Sequence, residues 1–102
     1  MGLAGPAFSF EGELFEAAAA SAWVFVAVPV SDAEEIRNLA PPRTGFGSVT
    51  VFARIGSTRW GTSIFPSKET QSYVLPVKRA VRDAEQIDTG DIIRVTIEID
   101  QG

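Results

Sequence analysis

The carboxyl-terminal third of the chain carries the most regular hydrophobic pattern. Between residues 91 and 99, aliphatic residues occupy alternate positions, and a period of two predicts a strand with one buried face. Residues 77–87 repeat apolar positions at helical spacing, with charged residues between them, which predicts an amphipathic helix of about three turns. Pro76 suits the start of that helix, and residues 88–91 (DTGD) are typical of a turn. Residues 73–99 are therefore predicted to form strand, helix, turn and strand.

The preceding part of the chain predicts further strands and a second helix. Alternation recurs at residues 8–15, 49–55 and 59–65, which predicts three strands. Residues 23–28 (WVFVAV) are apolar on both faces, a pattern typical of a strand in the interior of a sheet or barrel. Ser31, with Glu34 three residues later, has the spacing of a capping box and predicts a short helix.

These elements predict a mostly β fold and leave two architectures open, a sandwich or a closed barrel. The two-sided apolar strand and Gly61 within a strand favour a small closed β-barrel of six to seven strands with two short α-helices. Residues 1–7 are expected to be a loose end, and residues 8–100 a single domain. A chain that closes its own barrel is expected to be a monomer.

Composition excludes several kinds of chemistry. The 102 residues include no Cys and no His, which removes disulfides, thiolate nucleophiles, Ser-His dyads and zinc fingers. No catalytic residues, metal or cofactor are therefore expected, and the protein is not expected to be an enzyme. The net charge of −4 argues against binding of duplex DNA. The longest apolar run, residues 17–30, is shorter than the roughly 20 residues of a membrane span, so a cytoplasmic protein is expected.

A glycine-containing loop and the start of the second predicted helix form the candidate ligand site. Glycines let backbone N–H groups approach an anion, and nearby cationic side chains would strengthen its binding. The proposed ligand-binding residues are Arg43, Gly45, Phe46, Gly47, Ser48, Trp60, Ser63, Lys78 and Arg79. The alternative is a loop that needs glycine only for its turn, beside an ordinary solvated helix face.

Two other groups of residues have both a structural and a functional interpretation. The first contains the aromatic residues Trp23, Phe25, Phe52 and Trp60. They are expected to fill the barrel, and the alternative is that they line an apolar pocket. The second group contains Arg54, Arg59, Lys78, Arg79 and Arg82 with Phe46, Trp60 and Phe65. It could stack on single-stranded nucleic acid, although such arginines more often pair with acidic residues.

Four short segments together form a specific combination: FEGEL at residues 10–14, RTGFGSV at 43–49, WGTSIFP at 60–66, and YVLPVK at 73–78 with Val81-Arg82. This combination resembles the bacterial family DUF1905, whose function is not assigned. The resemblance covers nearly the whole chain from Phe8 and implies a double-split β-barrel. It implies no catalytic residues, because none is established for the family.

The segment from residue 73 onward also resembles half of an AbrB-type DNA-binding barrel. LPVK at residues 75–78 and GDII at residues 90–93 correspond to its pattern. This chain has more strands than an AbrB half, so one chain could close the barrel that AbrB closes with two. Two functions follow: a non-enzymatic module that binds a small anion, a peptide or a protein partner, or an AbrB-like nucleic-acid-binding protein. An enzyme using carboxylates, Lys or Arg is a third and weaker hypothesis.

Overall fold

The computed structural model describes residues 4–17, 20–39 and 47–100. Within these ranges the protein is mostly β, with seven strands and two helices. The strands are β1 (Ala4–Glu13), β2 (Phe15–Ala17), β3 (Ala20–Ala27), β4 (Val49–Ile55), β5 (Thr58–Ser67), β6 (Ser72–Pro76) and β7 (Ile92–Asp100), and the helices are α1 (Val30–Leu39) and α2 (Arg79–Glu85). The strands and helices predicted from periodicity are thus confirmed with shifts at several boundaries, except that the single strand predicted at residues 8–15 is interrupted at Leu14, between β1 and β2.

All seven strands belong to one antiparallel sheet, in the order β1-β7-β4-β5-β6-β3-β2. β5 joins the two halves of this sheet, because it changes partner along its length. Residues 58–64 of β5 pair with β4, whereas residues 65–67 pair with β6. β4 and β6 therefore pair with different parts of β5.

The sheet is curled but open, so the predicted closed barrel is wrong and the fold is a half-barrel. β1 and β2 lie at opposite ends of the strand order, and no ladder joins them within the described residues. Leu14 alone links these two strands. An antiparallel pair needs a turn of about two residues, so the chain cannot fold β2 back beside β1. The monomer was expected because one chain would close its own barrel, and the open sheet does not support that reasoning.

The two halves of the sheet nevertheless approach each other closely where β1 ends. A Cβ atom added at Gly12 would lie 2.6 Å from a methyl carbon of Val26 in β3. Such a separation is shorter than real packing allows, and only glycine fits there without a shift. Leu14, which follows β1, is completely buried.

The inner face of the curled sheet holds the hydrophobic core. Alternate residues of β4 and β7 are buried, as their periodicity predicts. Ala33 and Ile36 from α1, and Val81 from α2, are buried in the same cluster. The core therefore includes residues from both helices as well as from the sheet.

α2 is shorter than the predicted helix because of the conformation of Gln86. This residue has a φ of 56° in the left-handed region, and its N–H donates to the carbonyl of Asp83. The N–H of Ile87 donates to the carbonyl of Arg82, a pattern typical of helix ends. Ile87 then packs against the core rather than continuing the helix.

β1 begins at Ala4, within the segment 1–7 that was expected to be a loose end. Ala4 pairs with Asp100, and Ala7 pairs with Glu98. These backbone pairs with β7 hold the start of the strand. No helix in the described ranges is both long enough and apolar enough to cross a membrane.

Candidate binding groove

The backbone of β6 alternates between its two neighbouring strands. The N–H of Val28 donates to the carbonyl of Tyr73, and the N–H of Val77 donates to the carbonyl of Val24, both at 2.9 Å. Odd-numbered residues of this segment therefore direct their backbone groups towards β3, and even-numbered residues direct theirs towards β5.

Pro76 explains why β5 and β6 separate. After Val74, which pairs with Phe65, Pro76 is the next residue of β6 that faces β5. It has no N–H to donate, and the β5–β6 ladder extends no further in this direction. The chain then leaves the sheet and enters α2, so a groove opens between this part of β5, the start of α2 and β3.

The groove has a volume of about 430 Å³, within the range of small-molecule sites. Strands β3, β5 and β6 supply one part of its lining, and the segment entering α2 supplies the other. The lining residues are Trp23, Val24, Trp60, Gly61, Thr62, Pro76, Val77, Lys78, Arg79 and Arg82.

The two tryptophans give the groove two different aromatic surfaces. Trp60 is half-buried and packs against the core. Trp23 is 55% exposed and stacks on Phe25, with ring centroids 6.0 Å apart and an interplanar angle of 18°. Phe25 in turn contacts Phe15 at a centroid distance of 6.1 Å. An aromatic surface is therefore available to a ligand.

The expectation that the aromatic residues fill the barrel is wrong for three of the four. Trp23 and Phe25 lie on the outer face of β3, because Val24, Val26 and Val28 already occupy its inner face. Phe52 lies on the outer face of β4, where the Arg59 guanidinium is 4.5 Å from its ring centroid. Of the four, Trp60 is the one that packs against the core.

Three cationic side chains line the groove, and their environments differ. Arg82 is held in place, since its Nε donates to the carbonyl of Val77 at 3.1 Å and its guanidinium pairs with Asp88 at 3.6 Å. Arg79 is 84% exposed and only loosely paired with Asp83, at 3.8 Å. Such exposed pairs contribute little.

Lys78 is the cation most available to a ligand. It is exposed, and it forms no ion pair with any residue in the described ranges. Among the residues that the structure describes, the groove lining includes neither Asp nor Glu. Lys78 therefore gives the groove one unpaired positive charge, although the whole chain carries a net charge of −4.

The structure brings together some of the residues proposed from sequence and separates others. Trp60, Lys78 and Arg79 lie around the groove. The three proposed residues that do not line it are Gly47 and Ser48, immediately before β4, and Ser63 in β5. Arg43, Gly45 and Phe46 lie outside the described residues. The glycine loop and the start of α2 are therefore not shown to form one site.

The nine residues proposed from sequence as ligand-binding did not include Trp23 or Arg82, which were considered only for an apolar pocket and for a basic strip. Arg82 lies four positions after Lys78 and three after Arg79, a spacing that brings residues to one helix face, and this signal could have found it. Trp23 gave no comparable signal, because the pattern of residues 23–28 is the same whichever face is buried.

The arginines of the predicted basic strip do not form one surface. Arg54 and Arg59 are paired across β4 and β5 and do not line the groove. Arg59 also contacts Glu98 at 3.5 Å. In the described part of the chain, no group of three or more acidic side chains is arranged to hold a metal ion.

The model of a family described as "Domain of unknown function (DUF1905)" matches residues 10–97 of the chain. The matched region includes all or part of every described strand and both helices. The chain belongs to the DUF1905 family. All the residues that line the groove of this DUF1905 domain fall within the match. No curated protein matches the chain.

Proposed function

We propose that this DUF1905 domain is a non-enzymatic binding module. Its ligand is an anion with an aromatic or apolar part, and its site is the groove between β5 and α2. The observation that supports the proposal is the combination of two tryptophans and three cations in a groove whose described lining contains no carboxylate.

The two kinds of side chain suit the two parts of such a ligand. The exposed face of Trp23 can pack against an apolar or planar group, while Lys78 and Arg79 attract negative charge. Trp60 forms a firm wall, because it also packs against the core. A ligand that fills the groove would partly exclude water and strengthen these electrostatic contacts.

A thermal-shift screen tests this function. Phosphorylated metabolites, nucleotides and anionic peptides would be added to the wild-type protein and to the double variant Lys78→Gln/Arg79→Gln. We expect at least one class to raise the melting temperature of the wild type and not that of the variant. The matched control is Arg94→Gln, since Arg94 is exposed on β7 and outside the groove. A panel that stabilises neither protein would contradict the proposal.

AbrB-like nucleic-acid binding is a second candidate, supported by the same groove. Aromatic and cationic side chains can stack on the bases of a single strand, and the open sheet removes the argument from barrel closure. A gel shift at low salt, with random single-stranded and duplex DNA, tests this role because electrostatic binding is strongest there. Unshifted DNA at micromolar protein would rule it out.

We propose that the module acts as a monomer. We also propose that it acts in the cytoplasm, where a chain without cysteine needs no disulfide for its stability. Light scattering with and without the ligand found in the screen would check the monomeric state.

A further inference from the structure

We propose that the ligand is a short extended peptide with acidic side chains, which adds as a strand to β5 in the groove. This inference rests on the proposed binding function and specifies its ligand. The carrying observation is a stretch of β5 that has a strand partner on one side only. Peptides commonly bind to such edges through main-chain hydrogen bonds.

The backbone groups that would receive the peptide can be identified from the register. Phe65 faces β6, because it pairs with Val74, and neither ladder of β5 has a register shift. Gly61 and Ser63 therefore direct their N–H and C=O groups to the same side as Phe65. In the described part of the chain, these groups form no hydrogen bond with turns, loops or side chains.

The free edge is bounded at both ends. Pairing with β6 begins at Phe65, and the hydroxyl of Thr58 is bonded to Glu85 of α2 at 2.6 Å. Residues 59–63 lie between these contacts. At the centre of this stretch Gly61 is exposed, and a Cβ added there would meet only a ring carbon of Phe52, at 4.0 Å. The edge is therefore open to another backbone.

The surrounding side chains select the type of peptide. Lys78 and Arg79 lie beside the edge and have no acidic neighbour in the groove lining, so acidic side chains are favoured and basic ones are repelled. Trp60 and Trp23 provide apolar contacts for the remaining side chains. A nucleotide could use the cations and the tryptophans, but it would not satisfy a row of alternating backbone donors and acceptors.

The experiment uses synthetic heptapeptides with Val, Ile or Thr at alternate positions and Glu at the others. Acetylated and amidated ends remove the terminal charges, so any acidic contact comes from side chains. Matched peptides carry Lys instead of Glu, or an N-methyl group on the central amides. We expect binding of the Glu series only, and slower hydrogen exchange at Gly61 and Ser63. N-methylation should weaken binding by roughly three- to tenfold for each hydrogen bond lost.

A pair of protein variants tests the same contact from the other side. Gly61→Pro removes the N–H that faces the groove and leaves the ladder to β4 intact, so it should weaken peptide binding by roughly three- to tenfold. Gly61→Ala also adds a Cβ but keeps the N–H, so it should bind the peptide more tightly than Gly61→Pro. N-methylated peptides provide an independent test if Gly61→Pro does not fold.

The possible outcomes separate this inference from the proposed function. Binding of nucleotides or phosphorylated metabolites without binding of any heptapeptide would overturn the inference and preserve the binding function. Peptide binding that is insensitive to N-methylation and leaves exchange at Gly61 unchanged would overturn strand addition. Failure of every anion and every peptide would overturn both.

Discussion

The Glu85 carboxylate accepts a hydrogen bond from the Thr58 hydroxyl at 2.6 Å. A second hydroxyl, that of Ser57, lies 3.3 Å from the same oxygen. These contacts fasten the end of α2 to the β4–β5 turn. Since Lys78 immediately precedes the other end of this helix, the contact also positions the cationic wall of the groove.

Replacing Thr58 with Val should lower the free energy of unfolding by about 1 kcal/mol, because it removes the hydrogen bond and keeps the β-branched shape. Urea denaturation measures this change. Thr50→Val is the matched control, since Thr50 is exposed in β4 and should differ from the wild type by less than about 0.5 kcal/mol. Equal effects of the two substitutions would show that the Thr58–Glu85 contact does not stabilise the fold.

Gly90→Ala should destabilise the protein by about 1–2 kcal/mol, because Gly90 has a φ of 96° and a side chain there is strained. No atom lies within 4 Å of a Cβ added at this position, so the cost comes from the backbone alone. Gly61→Ala is the control, since its Cβ would meet only a ring carbon of Phe52, at the ordinary contact distance of 4.0 Å, and its φ is not positive. Chemical denaturation of both variants compares the two sites. A Gly90→Ala protein as stable as the control would disprove the strain.

Trp60 and Trp23 should respond differently to substitution by alanine. Trp60→Ala should cost about 2 kcal/mol of stability, less than a fully buried aromatic residue, because Trp60 is half-buried against the core. Trp23→Ala should change stability by less than about 0.5 kcal/mol and should weaken ligand binding, since Trp23 is 55% exposed. Unfolding curves and titration with a ligand from the screen measure both effects. Unchanged affinity of Trp23→Ala would remove Trp23 from the site.

Substitution of Arg82 should affect mainly the stability of the protein, whereas substitution of Lys78 should affect mainly ligand binding. Arg82→Gln should lower the free energy of unfolding by about 1–2 kcal/mol, because it removes the hydrogen bond to Val77 and the contact with Asp88. Lys78→Gln should leave stability unchanged and reduce the affinity for an anionic ligand, with a weaker dependence on salt. Thermal unfolding and titrations at two salt concentrations test the pair. Loss of affinity in Arg82→Gln together with loss of stability in Lys78→Gln would contradict the roles assigned to the two residues.

Pro76→Ala should extend the β5–β6 ladder by one residue and narrow the groove. The N–H gained at position 76 faces β5, opposite Ser63 in the continued register, where the proline offers no donor. Slow hydrogen exchange of this new backbone amide, together with weaker ligand binding, is the expected result. Fast exchange at position 76 with unaltered binding would mean that proline does not cause the separation of the strands.

The elements that depend on local pattern could be predicted from the sequence. β4 matches residues 49–55 and β7 lies within one residue of its predicted bounds, because burial of one face imposes the alternation. The strand predicted at residues 59–65 stops before Pro66, but β5 continues to Ser67. By alternation Pro66 faces the side of β4, whose pairing with β5 stops at Ile64, so the missing N–H interrupts no ladder.

The features that depend on strand order could not be predicted. The prediction of a closed barrel was wrong because β1 and β2, which have different partners, are separated by Leu14 alone. No local sequence pattern reveals this break. Trp23 points outward because of the way β3 is oriented in the sheet. Since β3 has apolar residues on both faces, its sequence does not show which face is buried. The groove itself depends on where β5 and β6 separate. Pro76 was expected at the start of a helix, but it is the last residue of β6 and α2 begins at Arg79. Only the register with β5 shows the effect of Pro76 on pairing.

β7 is the last strand of the described chain to leave the ribosome, yet it lies between β1 and β4. Until it emerges, β1 has no neighbour in the sheet, and the apolar side chains of Phe8 and Phe10 have no opposing strand. This half of the protein therefore folds only after synthesis of residue 100 is complete.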